Sequence, residues 1–201
     1  MTRLLLATNN AHKVRELRQI LAGVPFTLAT PVQEGIVHDV PETGATYAEN
    51  ASLKARTLAR SSGLLTLADD SGLEVEALGG EPGIRSARYA GEGAPNAERI
   101  AKLLDRMRDV PWERRRAQFV CVIAIAEPGG REWFCEGRCA GYIALEPRGE
   151  QGFGYDPVFY LPEYGCTMAE LDELVKNLVS HRGRAGRAAA ELLCRLASSG
   201  R

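Results

Sequence analysis

Asp69 and Asp70 stand side by side in the run Leu-Ala-Asp-Asp-Ser-Gly. Adjacent carboxylates at the end of a strand repel each other unless something cationic is close. A divalent metal meets that need, and hard oxygen ligands favour Mg²⁺, which keeps waters and shares phosphate oxygens with its substrate. Side chains alternate along a strand, so one acid faces a given pocket while the other orients a water or a neighbouring ligand. An Asx turn with exposed acids is the alternative. Glu42, on Pro41-Glu42-Thr43-Gly44, is a second carboxylate just ahead of the helix that carries Lys54, and by itself it reads as a solvated acid.

Thr8, Asn9, Asn10 and Lys13 outline an anion site: a polar loop at a helix start offers backbone N–H groups and a positive dipole end, and Lys13 adds a full charge. The same residues also fit an Asn-capped turn with a solvated lysine. The glycines and GK[ST] ending of a P-loop are absent, and no Rossmann fingerprint follows a strand. Asn50 and Lys54 share a helix face suited to a phosphate, although a lysine reaching out to water is the commoner use. Gly152-Phe153-Gly154-Tyr155-Asp156 sets aromatics beside an acid on a flexible loop, which suits a stacked planar ring with a hydrogen-bond acceptor next to it, or aromatics folded into the core. His181 and Arg182 can donate to ring carbonyls, or cap the following helix. Ser71 lacks a G-x-S-x-G elbow, and Cys135 and Cys139 lack both a second cysteine pair and a placed histidine.

The elements that must position these residues follow from periodicity. Arg3 to Ala7 reads as a strand, and Val14, Leu17 and Leu21 recur at helical spacing from Lys13. Thr46-x-x-Glu49 opens a second helix as a capping box. Leu64 to Ala68 reads as a strand with the acid pair at its end, and Leu73, Val75 and Ala77 alternate beyond it. Pro95-Asn96 announces a helix through Ile100, Leu103, Leu104 and Met107. Phe119 to Ala126 and Glu132 to Ile143 form a hairpin, Asp156 to Tyr160 another strand, Thr167-x-x-Glu170 starts a helix toward Lys176, and Ala188 to Ala197 forms the last, frayed at Ser198 to Arg201. Such interspersion predicts an α/β architecture with a mixed sheet.

With 201 residues, 45% apolar and 25% charged, the composition is that of a folded globular chain, read as one domain over residues 1–201. Twenty-five basic and 26 acidic residues leave a net charge of −1, too little to hold a nucleic acid or an anionic membrane through a global field. Five scattered cysteines, no apolar run long enough for a membrane span and an apolar start too short for a signal peptide lead to the expectation of reduced thiols and a cytoplasmic protein.

Five segments in order, LLLATNNAHKVREL, ETGATYAENASLKA, LADDSGLEVEALGGEPGIRSARYAG, GFGYDPVF and SHRGRA, make the chain similar to the inosine/xanthosine triphosphate pyrophosphatase family over nearly its whole length. The resemblance implies an elongated, two-lobed α/β domain around a long mixed sheet flanked by helices. It implies a homodimer that hydrolyses ITP, dITP and XTP to the monophosphate and pyrophosphate with Mg²⁺ as cofactor, cleaning the nucleotide pool. Thr8, Asn9, Asn10, Lys13 and Lys54 match the family's triphosphate-binding positions, with Asn50 on the same helix face as Lys54. Glu42 and Asp70 match its metal-side acids, with Asp70 the proton acceptor and Asp69 and Ser71 beside it. Phe153, Gly154, Tyr155, Asp156, Lys176, His181 and Arg182 match the base and sugar pocket. Asn9 stands where many members have glycine, and Tyr155 where some carry tryptophan. A catalytically silent nucleotide-binding module and a Maf-like pyrophosphatase acting on other nucleotides are the competing readings.

Overall fold

The computed structural model describes residues 2–37 and 40–199. Leu4, Leu5 and Leu6 are buried in the first strand, β1 (Arg3–Leu6). Asn10 then caps α1 (Ala11–Ile20), its side-chain oxygen accepting from the His12 and Lys13 amides, so the helix starts before its apolar spacing does. β2 (Thr27–Ala29), too short to stand out in the sequence, runs parallel to β1. Thr46 caps α2 (Tyr47–Ser62) by accepting from the Glu49 amide, while Glu49 reaches back to the Ala45 amide at 2.7 Å.

The strand after α2 differs from expectation. It does not stop at Ala68: β3 (Leu65–Val75) stays extended through Asp69, Asp70, Ser71 and Gly72, so the acid pair lies in mid-strand. The repulsion between the two carboxylates is offset by cations on both faces of the strand, described below. β4 (Pro82–Gly83) pairs antiparallel with its far end, and α3 (Asn96–Arg106) follows Pro95 as read. β5 (Arg116–Ala126) and β6 (Glu132–Ile143) flank a turn closed by the Glu127 amide on the Arg131 carbonyl at 2.9 Å.

Three further boundaries move. Asp156–Val158 is a 3-10 turn with Pro157 near its start, and strand β7 is only Phe159–Leu161, followed by β8 (Cys166–Thr167). The Thr167–Glu170 capping box forms, but it heads only the 3-10 turn Met168–Glu170; α4 (Glu173–Val179) begins afresh with Asp172 as its cap. α5 (His181–Ser199) starts at His181, not Ala188, and remains helical at Ser198; Gly200 and Arg201 of the expected frayed end lie outside the described residues. Gly183 and Gly186 lower the helix propensity of its first half, which hides it from periodicity. Gly186 is nonetheless needed there, because a Cβ would sit 2.6 Å from Ile20 of α1.

The sheet order is β2-β1-β3-β5-β6-β7-β8, with β4 on β3. β1 is parallel to both β2 and β3, whereas the β6–β7 and β7–β8 pairs are antiparallel, so the sheet is mixed, as expected. The chain forms two compact units: one from the described residues of Met1–Asp70, Cys121–Gly137 and His181–Arg201, the other from Ser71–Val120 and Arg138–Ser180. In the first, Leu17 and Leu21 of α1 and Ala185, Ala189 and Leu193 of α5 cover Leu4, Leu6, Leu67, Ile123 and Ile125 of the strands. In the second, Leu103 and Met107 of α3 pack with Leu73, Val75, Phe119, Phe159 and Met168.

Candidate active site

In the first unit, β3 places Asp69 and Asp70 with opposite neighbours. Asp69 is buried, and its Oδ2 accepts from Arg182 Nη2 and Nε at 3.0 and 3.2 Å and pairs with Lys13 Nζ at 3.0 Å. Arg182, buried at the start of α5, also donates from Nη1 to Glu16 of α1 at 2.8 Å. Asp70 instead meets α2: its Oδ2 accepts from Asn50 Nδ2 at 3.1 Å, and its Oδ1 lies 3.6 Å from Lys54 Nζ. Lys54 Nζ also pairs with Glu42 Oε1 at 2.7 Å, bringing together the loop acid, the helix lysine and the strand acid. Asn50 is fully buried, and its oxygen accepts from the Gly44 amide at 2.8 Å. A Cβ on Gly44 would sit 2.8 Å from that oxygen and 2.7 Å from Glu49 Cβ, so the loop comes this close only as glycine.

These neighbours set the charge states. Burial pushes the Asp69 carboxyl up, but Lys13, Arg182 and Lys54 outweigh it and hold Asp69 well below the usual carboxylate range. Burial also dominates at Asp70 and, with the negative Glu42 nearby, outweighs Lys54, Lys13 and Asn50, so Asp70 binds a proton more readily than an ordinary aspartate. Burial acts against the Lys54 ammonium, yet Asp70, Asp69 and Glu42 raise its pKa and keep it charged. Cys121, 4.0 Å from Asp69, is pushed up to about 12 by burial and by that acid, which makes it an inert thiol.

The loop before α1 takes the form of the Asn-capped turn. Asn10 N donates to Thr8 Oγ1 at 3.2 Å, and the His12 and Lys13 amides are taken by Asn10 Oδ1, so these groups satisfy one another. Lys13 is the charge this loop presents. Glu16 is the residue that sequence reasoning missed here; its signal was an acid next to Leu17 on the inward face of α1, and it is 3% exposed.

In the second unit, Asp156 and Lys176 form a buried pair at 2.6 Å, and Asp156 Oδ2 also accepts from the Phe153 amide at 2.8 Å. Lys176 Nζ stands 5.0 Å from the Phe153 ring centroid. A Cβ on Gly152 would run into the Asp156 carboxylate and come 2.9 Å from Lys176 Nζ. Tyr155 is a core residue whose hydroxyl donates to the Ser86 carbonyl at 3.0 Å. Ser71 and Gly154 are partly buried, on β3 and on the 152–156 loop, and His181 is buried at the first position of α5, in the first unit with Arg182.

Among the described residues no three His, Cys, Asp or Glu side chains gather in a metal-binding group. Mg²⁺ does not require one: it is held by one or two carboxylates, with waters and substrate phosphates completing its shell. Asp70 and Glu42, converging on one ammonium, suit that donor chemistry. Asp69 Oδ1 is buried without a hydrogen-bond partner, a further hard oxygen on the same strand.

Lysines set against strand and loop carboxylates, and a glycine-flanked aromatic loop bearing a buried Asp–Lys pair, make this a mixed α/β protein of the class that carries paired charges beside its strands. The chain belongs to the Ham1 family, whose model matches residues 4–192. It is 51% identical to the dITP/XTP pyrophosphatase of Geobacter sulfurreducens over 92% of this chain and 93% of that one. It is likewise 51% identical to the Thermus thermophilus dITP/XTP pyrophosphatase, over 94% and 90% of the two chains. A solved HAM1 protein from Coxiella burnetii superposes with a TM-score of 0.89 at 43% identity, covering 97% of this chain and all of that one, and the Staphylococcus aureus Ham1 protein with 0.85 at 40%, covering 100% of both. Among the described residues no helix is long and apolar enough to cross a membrane.

Proposed function

We propose that this chain hydrolyses non-standard purine nucleoside triphosphates (ITP, dITP and XTP) to the nucleoside monophosphate and pyrophosphate, and so cleans the nucleotide pool. The observation that carries the reading is the Asp70 carboxylate, of raised proton affinity, beside Lys54 and Glu42. The names of relatives about half identical over nearly the whole chain support the substrate class. Mg²⁺ is the cofactor of this reading, held by Asp70 and Glu42 with Asp69 next to them, and when bound it neutralises triphosphate charge and lowers the pKa of water.

A water oxygen attacks the α-phosphorus while Asp70 accepts the proton, the new P–O bond forms, and the α–β anhydride bond breaks to release pyrophosphate. Lys54 and Lys13 counter the charge that gathers on the phosphate oxygens, with Thr8, Asn9, Asn10 and Ser71 as the polar groups around them. Asn50 holds Asp70 through its amide. On the base side, Phe153 stacks on the purine, and Gly154 and Tyr155 shape the loop. Asp156 and Lys176 supply an acceptor and a donor for base and sugar. His181 and Arg182 donate to the 6-oxo group, which an adenine amino group cannot satisfy without leaving buried donors unpaired. Arg182 also carries Asp69 and Glu16, so changing it acts on the acid cluster as well.

The family model runs through stretches of both compact units, which supports reading residues 1–201 as one domain. A cytoplasmic homodimer completes the proposal. The test is release of pyrophosphate and orthophosphate from ITP, dITP, XTP, GTP, ATP and TTP, with Mg²⁺ and then with EDTA. Pyrophosphate plus IMP or XMP, preferred over GTP and ATP and lost with EDTA, is the expected result; preferential turnover of TTP, or tight ITP binding without turnover, overturns it.

A further inference from the structure

Ser86 has no place in the reaction described above, yet it is 7% exposed and fully engaged within the second unit. Its hydroxyl accepts from the Leu73 amide of β3 at 2.8 Å and donates to the Gly83 carbonyl at 2.6 Å. Leu73 and Gly83 are register partners of the short β3–β4 pair, so the serine side chain clips the end of that ladder. Its carbonyl meanwhile accepts the Tyr155 hydroxyl at 3.0 Å, in a buried bond across 69 positions of sequence. One residue therefore ties the strand that carries Ser71 to the loop that carries Phe153 and Asp156.

That loop needs an anchor. Gly152 and Gly154 both adopt left-handed backbone on either side of Phe153, so the path of the chain past the aromatic is set by the loop's contacts rather than by backbone preference. The Asp156–Lys176 pair restrains the loop at one point, and the Tyr155 hydroxyl restrains it at a second. Arg99 Nη1, donating to the Ala87 carbonyl at 3.0 Å, holds the next peptide of the Ser86 turn in place.

We propose that Ser86 is a positioning residue for base selection: with its hydroxyl locked between Leu73 and Gly83, its carbonyl holds Tyr155 and thereby fixes the 152–156 loop. This rests on the reading above that the loop takes the purine. Losing one such hydrogen bond should loosen the loop in every bound state alike, raising KM and lowering the preference for ITP over ATP by roughly two- to tenfold while kcat stays near its original value.

Steady-state kinetics with ITP and ATP in Mg²⁺ would compare the unaltered protein with Tyr155→Phe, Ser86→Ala, the double variant and Phe153→Ala, at a temperature where circular dichroism finds each folded. Tyr155→Phe and Ser86→Ala should each raise KM for ITP and relax selectivity, and the double variant should be no worse than the more affected single one, because both act through one joint. If Ser86→Ala does not fold, Tyr155→Phe decides alone, since it removes only the hydroxyl. Unchanged KM and selectivity in Tyr155→Phe, with Phe153→Ala impaired, overturns the Ser86 role and leaves the base-side reading standing. Unchanged behaviour in Phe153→Ala overturns the base-side reading itself.

Discussion

Asp69 and Asp70 are consecutive on β3, and their carboxylates serve opposite faces of it: Asp69 is held by Lys13 of α1 and Arg182 of α5, Asp70 by Asn50 and Lys54 of α2. The two-residue repeat of a strand makes this split unavoidable once the segment is extended. It also divides their chemistry. Asp69 is kept ionised and rigid, whereas Asp70, with burial and Glu42 acting against its charge, is the better proton acceptor.

Asp70→Asn keeps the Asn50 and Lys54 neighbours while removing the proton acceptor, so turnover should be abolished with much less effect on folding. Product release and a thermal melt on the same preparation check this, and near-normal activity would contradict the assignment of Asp70.

Asp69 has a folded pKa below its unfolded value, so its contribution to stability is complete above the unfolded carboxylate pKa of about 4 and is lost as pH falls through the folded one. Asp69→Asn removes the negative charge that Arg182 and Lys13 both face. The stability gap between the unaltered protein and this variant should be widest near neutrality and shrink below about pH 4. Urea unfolding from pH 7 down to pH 3 measures it; a gap independent of pH would show that the Asp69 charge contributes nothing.

In the metal-free protein, Asp70 should titrate at higher pH than Asp69, because burial and Glu42 raise the one while Lys13 and Arg182 help depress the other. Carboxyl carbon NMR across the acid range resolves the two, and the reverse order would remove the electrostatic ground for Asp70 as acceptor.

Lys176→Met leaves the Asp156 carboxylate buried with the Phe153 amide but without its ammonium, and such a break costs about 3–5 kcal/mol. Adding Asp156→Asn removes the stranded charge, so the double variant should lose less than the sum of the single losses. Chemical denaturation of the three variants tests this, and strict additivity would mean the pair is not coupled.

Much of this molecule is readable in one dimension. The leucines of β1, the Asn10 and Thr46 caps and the Pro95 start of α3 are local signals, and local signals set local structure. The fold class followed from them, and so did the placing of Asn50 and Lys54 on one face of α2. Where the reading failed, a distant contact had overridden a local tendency. Two adjacent acids looked like a strand end because the cations that neutralise them lie on α1, α2 and α5. The first half of α5 went unread because Gly183 and Gly186 weaken its local signal, and the close approach of Ile20 to Gly186 is a contact distant in sequence. The sequence by itself determined which residues carry charge, where α2 and α3 begin and which family the segments resemble. Only the tertiary structure decided that Arg182 binds Asp69 and Glu16, that Asp70 answers to Lys54 and Glu42, and that Ser86 reaches both β3 and Tyr155. Pairings across tens or hundreds of residues depend on how strands and helices pack, and no spacing along the chain encodes them.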